Sequence, residues 1–485
     1  MKTIGSLLAI FCICSASSLP VVDLGYELHR AISFNNTQGL YNFSNIRYAA
    51  PPVGDLRFRA PVWPEENRTH IQDGSRGRVC PQATPLWEQY IELPFVESVL
   101  NGSKFNQSTN ISSYPYIPGK QDPRTTEDCL FLDVVVPRKI FHRGQNNTLN
   151  KGLAPVLVWI YGGGTVVGDG IVFVAINYRL GAFGWLGGDS ITTNGTANAA
   201  LHDQRFALDW VYKNIHLFGG DPKRVTVMGE SAGGGSIMHQ VTAYGGNKGP
   251  SPFQQAIIQS PGWVPVVSEA QQEKTLQQFL GILNVSTIEE ARQLSSAKLI
   301  AANAYQVATK AQFGDFVYGP VVDGTFVPAL PGQLLLQGNF DRNLKIMVGH
   351  NADEGLLFTS PDSRKKSGLV TILKNEYPSM KPNVTDYITN VLYPAVYNGT
   401  YGYKNPVERT AFVISEAIFE LCPPAIHGQD VIYTFYSSNG EPSGLSQAGL
   451  EVTNVTIAHA MQDYFTSFVQ SGTPSSPVGP VFSPT

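Results

Sequence analysis

The chain is poor in charge. Lys, Arg, Asp and Glu together make up 15% of its 485 residues, well below the roughly 25% usual in soluble domains. The charges present nearly cancel, 34 basic against 38 acidic, for a net −4. A general nucleic-acid binder needs a basic excess to neutralise phosphates. A disordered acidic chain needs a larger charge and fewer apolar residues than the 42% found here. Both classes are excluded. Long apolar runs are also missing: no segment reaches the roughly 18 residues needed to span a bilayer, so no stable membrane anchor is expected. Cysteine is scarce, at five residues. No internal repeat, low-complexity tract or Pro/Gly-rich linker interrupts the chain, and one domain is expected over residues 18–485.

The first residues are of a different character. Lys2 gives a positive start, Ile4 to Cys14 is apolar, and Ser15, Ala16 and Ser17 are small. That order reads as a secretion signal over residues 1–17, removed from an extracellular protein. Asn-x-Ser/Thr acceptors recur at Asn35, Asn42, Asn67, Asn101, Asn106, Asn110, Asn146, Asn194, Asn284, Asn383, Asn398 and Asn454. Their density predicts N-linked glycans, which would replace charge as the solubilising group. Loss of the signal removes Cys12 and Cys14 and leaves Cys80, Cys129 and Cys422. An odd number leaves at least one thiol without an intramolecular partner.

Residues 80–129, rich in Asn, Ser, Pro and aromatics, read as a long surface loop. The pattern then changes. APVLVWI at 154–160 and IVFVAINY at 171–178 are continuous Val/Ile-rich runs, as strands buried on both faces should be. RFALDWVYKNI at 205–215 carries a helical stripe, RVTVMG at 224–229 returns to strand character, and Ser231 to Tyr244 reads as helix. LKIMVG at 344–349 and VIYTF at 431–435 are read as further buried strands. Strands alternating with helices predict an α/β fold with a mostly parallel central sheet, whose reactive groups gather at the carboxyl ends of its strands.

Gly229-Glu230-Ser231-Ala232-Gly233 has the GxSxG pattern of a nucleophile elbow, between a predicted strand and a predicted helix. The glycines leave room for a strained turn, and the helix start offers N–H groups to a developing negative charge. A serine nucleophile needs a base and an acid to orient it, in the chain order Ser, acid, His on this kind of fold. His239 is too close to Ser231, His350 precedes the acid candidates, and His459 falls in a helix-like stretch. Elimination leaves His427, on a loop after Pro423 and Pro424. For the acid, Asp353 and Glu354 both follow the strand LKIMVG, and spacing does not choose between them. Gly162-Gly163-Gly164, directly after APVLVWIY, sits where an oxyanion hole is expected.

These segments, with Glu127-Asp128-Cys129-Leu130, Asn177-Tyr178-Arg179, Asp203-Gln204-Arg205, Phe218-Gly219-Gly220-Asp221-Pro222, Gln259-Ser260 and His427-Gly428, resemble the type B carboxylesterase family, which includes cholinesterases and fungal secreted lipases. The resemblance implies an α/β-hydrolase fold and hydrolysis of carboxylic esters through an acyl-enzyme. It implies Ser231 as nucleophile, Glu354 as acid and His427 as base. The N–H groups of Gly163, Gly164 and Ala232 would form the oxyanion hole, and Ser260 would support the acid. It also implies a Cys80–Cys129 disulfide, no metal, no organic cofactor, and a small-molecule or lipid ester as substrate.

Relative to the family pattern, the segment Thr165 to Gly170 and the stretch between Phe419 and His427 are short, and the family's last stretch is missing after Thr485. Two alternatives follow from the sequence. One is an interfacial lipase, with the Cys80 loop and its Trp87, Tyr90, Phe95 and Val96 as a lid. The other is a catalytically impaired relative used for binding or adhesion.

Overall fold

The computed structural model describes residues 19–145, 152–161, 170–262, 265, 266, 268–351, 353–415, 434 and 455–477. The predicted secretion signal and Cys422 lie outside them. A small sheet joins β1 (Val21–Asp23), β2 (Glu27–Arg30) and β5 (Asn67–Gln72). The main sheet has eight strands among the described residues: β3 (Ser33–Asn35), β4 (Leu40–Arg47), β6 (Phe131–Pro137), β7 (Ala154–Ile160), β8 (Val172–Ile176), β9 (Gly220–Glu230), β10 (Gln255–Gln259) and β11 (Lys345–Gly349). Their spatial order is β11-β10-β9-β7-β8-β6-β4-β3. The five from β11 to β8 run parallel, whereas β6, β4 and β3 pair antiparallel.

The apolar runs have their expected cause. All seven residues of β7 are buried, and alternate ones serve opposite faces. Val156, Val158 and Ile160 join the layer containing Trp210, Ile237 and Phe218. Leu157 and Trp159 meet Phe468 and Val469 of the helix Val455–Ser471 on the other side. Complete burial of such side chains contributes roughly 1.5–3 kcal/mol each, so β7 anchors both layers.

Some sequence expectations shift. The predicted helix at 205–215 begins earlier and spans Ala199–Asn214. Asn198 turns the chain into it with a left-handed backbone, its amide bonding both backbone groups of Val321. The strand predicted at 171–178 ends at Ile176, because Asn177, Tyr178 and Arg179 leave the ladder for other partners. Asn177 donates to the Arg78 carbonyl at 3.0 Å. LKIMVG is a strand but not a buried one: Ile346 is 39% and Val348 52% exposed, since β11 pairs with a single described strand, β10. Of VIYTF only Thr434 is described, and its backbone is helical. The predicted surface loop 80–129 contains a helical stretch, Glu88–Leu100, that packs inward. Trp87, Phe95 and Val96 are buried there and Tyr90 stacks on Tyr114, so these four side chains pack within the fold.

Three clamps hold the loops that follow the strands. The Cys80–Cys129 disulfide is formed. Beside it, Glu127 takes a two-pronged bond from Arg57 at 2.7 and 2.8 Å, and Asp128 binds both Arg47 and Arg78. Arg179, just past β8, makes two bonds to Asp203 at 2.6 and 2.7 Å. Both partners are buried, and desolvation pushes the Asp203 carboxyl up while Arg179 pulls it down. Removing one member of a buried pair strands the other charge, at a cost of about 3–5 kcal/mol. Asp203→Ala is therefore expected to lower the urea midpoint sharply, whereas Asp122→Ala, which breaks an exposed pair with Arg124, changes it little. Equal midpoints for the two variants would contradict this assignment.

Candidate active site

Ser231 stands between β9 and the helix Ala232–Val241 with φ 57° and ψ −123°. Few L-residues adopt such a backbone, and it costs on the order of 1–3 kcal/mol. The neighbouring glycines are explained by what surrounds them. A Cβ on Gly233 would lie 2.1 Å from the carbonyl oxygen of Ile160, at the end of β7. A Cβ on Gly229 would be 2.7 Å from Gly233 and 2.8 Å from the same oxygen. The elbow thus presses against the strand beside it. Ser231 N–H donates to the Gln259 carbonyl at 3.1 Å, and its own carbonyl accepts from Gly235 and Gly262. Ala232, the first helical residue, is exposed with its N–H at the positive end of the helix dipole.

Glu354 opens a short turn after β11 and is 1% exposed. Its Oε1 accepts from Ser260 Oγ at 2.6 Å and from the Asn351 N–H at 2.5 Å. Ser260 follows β10, and its N–H donates to the Gly349 carbonyl at 2.7 Å. Register places Glu230, Gln259 and Gly349 in one row across β9, β10 and β11. Ser231 and the Glu354 turn are therefore two strands apart, on the order of 10 Å between backbones. The adjacent carboxyl differs: Asp353 is only partly buried and is pushed up by desolvation and by Glu408. Of the two carboxyls that follow LKIMVG, Glu354 is the one that is enclosed and bonded to Ser260. His427, Gly162, Gly163 and Gly164 lie outside the described residues. His459 is an exposed residue of the helix Val455–Ser471, and the Nδ1 of His350 bonds the Asn351 carbonyl.

Ser231 and Ala232 open on a cavity of about 270 Å³. Its body is aromatic, from Tyr178, Trp185, Phe316, Tyr318 and Phe358. Tyr178 is braced against Tyr161 in a reciprocal pair: each hydroxyl donates to the other's carbonyl, at 2.8 and 3.1 Å, and the rings stack at 4.6 Å. The exits of β7 and β8 are locked together by that brace. His239, set aside as a base because of its closeness to Ser231, lines this cavity two turns along the helix. Phe316, Tyr318 and Phe358 sit in no motif that marks them. Among the described residues no group of His, Cys, Asp and Glu is arranged to hold a metal ion, and no helix is long and apolar enough to cross a membrane.

A sequence model described as the carboxylesterase family matches residues 30–398, which take in Ser231, Ser260 and Glu354. The chain belongs to the carboxylesterase family. It is 38% identical to carboxylesterase patB of Penicillium expansum over 512 aligned positions, covering 95% of this chain and 89% of that one. A secreted lipase of Arthroderma benhamiae is 30% identical, with 80% and 82% covered. The crystal structure of Aspergillus niger EstA superposes with a TM-score of 0.73 at 25% identity, covering 96% of this chain and 92% of that one. This carboxylesterase is a carboxylic ester hydrolase of the α/β-hydrolase fold.

The cavity histidine predicts an acid-sensitive fold. Burial holds His239 down at about 3 and His202 at about 4, against an ordinary 6.5, while Asp323 pulls the latter the other way. Both are neutral when folded and take up a proton on unfolding below pH 6.5. Their stabilisation is complete above that pH and is lost as pH falls towards 4 and 3, at about 1.4 kcal/mol per pH unit each. Glu376 has the opposite sign: burial and Asp315 raise it to about 8. Its stabilisation is complete below pH 4.5 and is lost as pH rises to 8. His239→Gln is expected to reduce the slope of unfolding free energy between pH 5 and 6.5 by about 1 kcal/mol per unit. Urea titrations at three pH values measure it, and an unaltered slope would mean that His239 is not held neutral.

Proposed function

We propose that this carboxylesterase is a secreted serine esterase working through a Ser231–Glu354–His427 triad. Ser231 Oγ attacks the ester carbonyl while His427 takes its proton, and the oxyanion forms against the N–H groups of Gly163, Gly164 and Ala232. Collapse releases the alcohol, which receives the proton from His427. Water, activated by the same base, then attacks the acyl-enzyme and frees the acid. Glu354 orients the imidazole, and Ser260 fixes Glu354. The supporting observation is the strained Ser231 elbow at the mouth of an aromatic cavity. Neither metal nor organic cofactor has a part in this scheme.

A cavity of about 270 Å³ lies near the small end of ligand pockets, roughly 300–1,000 Å³, and favours small esters over long acylglycerols. The packing of Trp87, Phe95 and Val96 gives no support to a lid presenting them at an interface. Glycans are proposed at the exposed acceptors Asn35, Asn67, Asn101, Asn106, Asn110, Asn284, Asn383 and Asn398.

Hydrolysis of p-nitrophenyl butanoate and labelling by a fluorophosphonate test the triad. Ser231→Ala is expected to abolish labelling and to lower kcat on the order of 10⁶-fold. Glu354→Gln is expected to lower it about 10⁴-fold, whereas Asp353→Asn stays within a few-fold of the parent. A folded parent protein that neither labels nor turns over would sink the triad reading. Similar losses in the two carboxyl variants would remove Glu354 from its role.

A further inference from the structure

The segment that follows β10 touches two parts of the site at once. Ser231 N–H donates to the Gln259 carbonyl and Gly262 N–H donates to the Ser231 carbonyl, so the turn 259–262 is tied to the nucleophile elbow. Within that turn Ser260 has φ +43°, a backbone that few residues other than glycine adopt. From there its Oγ reaches Glu354 Oε1 at 2.6 Å. The setting of the acid therefore depends on where the Ser260 hydroxyl points its one proton.

Asn351 decides that direction. It is buried, two residues past the end of β11 and three before Glu354. Its side-chain amide lies 3.3 Å from Ser260 Oγ, and its backbone N–H lies 2.5 Å from Glu354 Oε1. A carboxylate accepts and does not donate, and a separation of 2.6 Å is that of a hydroxyl donating to a carboxylate. The Ser260 proton thus lies towards Glu354, and Oγ can only accept from Asn351. The amide must then present Nδ2, and not Oδ1, on that side. Three bonds close a ring: Asn351 Nδ2 to Ser260 Oγ, Ser260 Oγ to Glu354 Oε1, and Asn351 N–H to the same Oε1. A ring of this kind fixes a hydroxyl rotor and a carboxylate plane together, which neither bond to the acid does alone.

We infer that Asn351 is a positioning residue for the acid: its amide sets the Ser260 hydroxyl, and the ring so formed commits Oε1 of Glu354 to the protein and turns Oε2 towards the imidazole. This rests on the Ser231–Glu354–His427 reading of the proposed function. Neither Asn351 nor Ser260 is among the residues that line the cavity, so neither touches an ester bound there. A misdirected acid weakens the imidazolium that forms in the transition state and leaves ground-state binding alone. The loss therefore falls on kcat and not on KM.

The test measures kcat and KM on p-nitrophenyl butanoate for the parent, Asn351→Leu, Ser260→Ala and the double variant. Asn351→Leu is expected to lower kcat about tenfold, the loss that one hydrogen bond supports, with KM within about twofold of the parent. The double variant is expected to be no slower than Ser260→Ala alone, because the amide acts through that hydroxyl. Losses that multiply in the double variant would give Asn351 a separate role and overturn the inference. So would a folded Asn351→Leu with the kcat of the parent, or one whose loss lies in KM. Asn351→Asp keeps the size and replaces the donor with an oxygen. It serves if the leucine variant does not fold, and a parental kcat there is equally contrary. A crystal structure of the parent with the Asn351 amide more than about 4 Å from Ser260 Oγ would overturn the inference without any variant. Glu354→Gln, measured alongside, separates the two ways of failing. A crippled Glu354→Gln beside an unimpaired Asn351→Leu rejects the role of Asn351 and leaves the triad standing, whereas a fully active Glu354→Gln rejects the triad and the role of Asn351 with it.

Discussion

The positive-φ turn at Ser231 is the constraint on which the rest of the site depends. A side chain is held at the crest of a strand-to-helix turn only if the helix starts at once and lies close over the sheet. That closeness is what brings the Ile160 carbonyl within 2.1 Å of where a Cβ on Gly233 would be. The same approach excludes side chains at Gly229 and at Gly234, whose Cβ would meet the Gln259 carbonyl at 2.5 Å. A strain of about 1–3 kcal/mol is sustained because β9 is central, bounded by β7 and β10 and packed on both faces. The turn has no freedom to relax without unpairing the middle of the sheet.

Around that rigid centre a small set of charges is buried. Arg57, Glu127, Arg179, Asp203 and Glu354 are all buried, and each is bonded to another element. Their common effect is to immobilise the segments that leave the strands. Arg179 ties the exit of β8 to the helix Ala199–Asn214, and Glu127 ties the Cys129 region to Arg57. Directional bonds suit this work better than apolar contacts, because loops offer little surface to bury and many backbone groups to satisfy.

The cavity follows from the same framework. Its walls come from the turn after β8, the elbow helix, the helix Ser296–Lys310, the loop 316–320 and the turn at Phe358. Three of these are braced at different points: Tyr178 by Tyr161, Asn303 by the Ala182 N–H, and Asp315, next to Phe316, by the indole of Trp87 at 2.9 Å.

The amino-acid sequence alone determined the sheet-forming runs, the elbow and the family. Buried parallel strands leave an unbroken apolar signature, and the steric demands of the turn leave glycines at set spacings on either side of Ser231. Glu354 over Asp353 was implied only by resemblance, and the structure distinguishes the two by burial and by the Ser260 bond. Asn303, Phe316 and Phe358 carried no sequence signal, because each takes its meaning from a neighbour far along the chain. The exposure of β11 and the inward packing of Trp87 and Phe95 were likewise decided by tertiary contacts. Local pattern reports which face of an element is apolar. Which residue ends up opposite it, and whether a polar atom there finds a partner, is set when the elements pack.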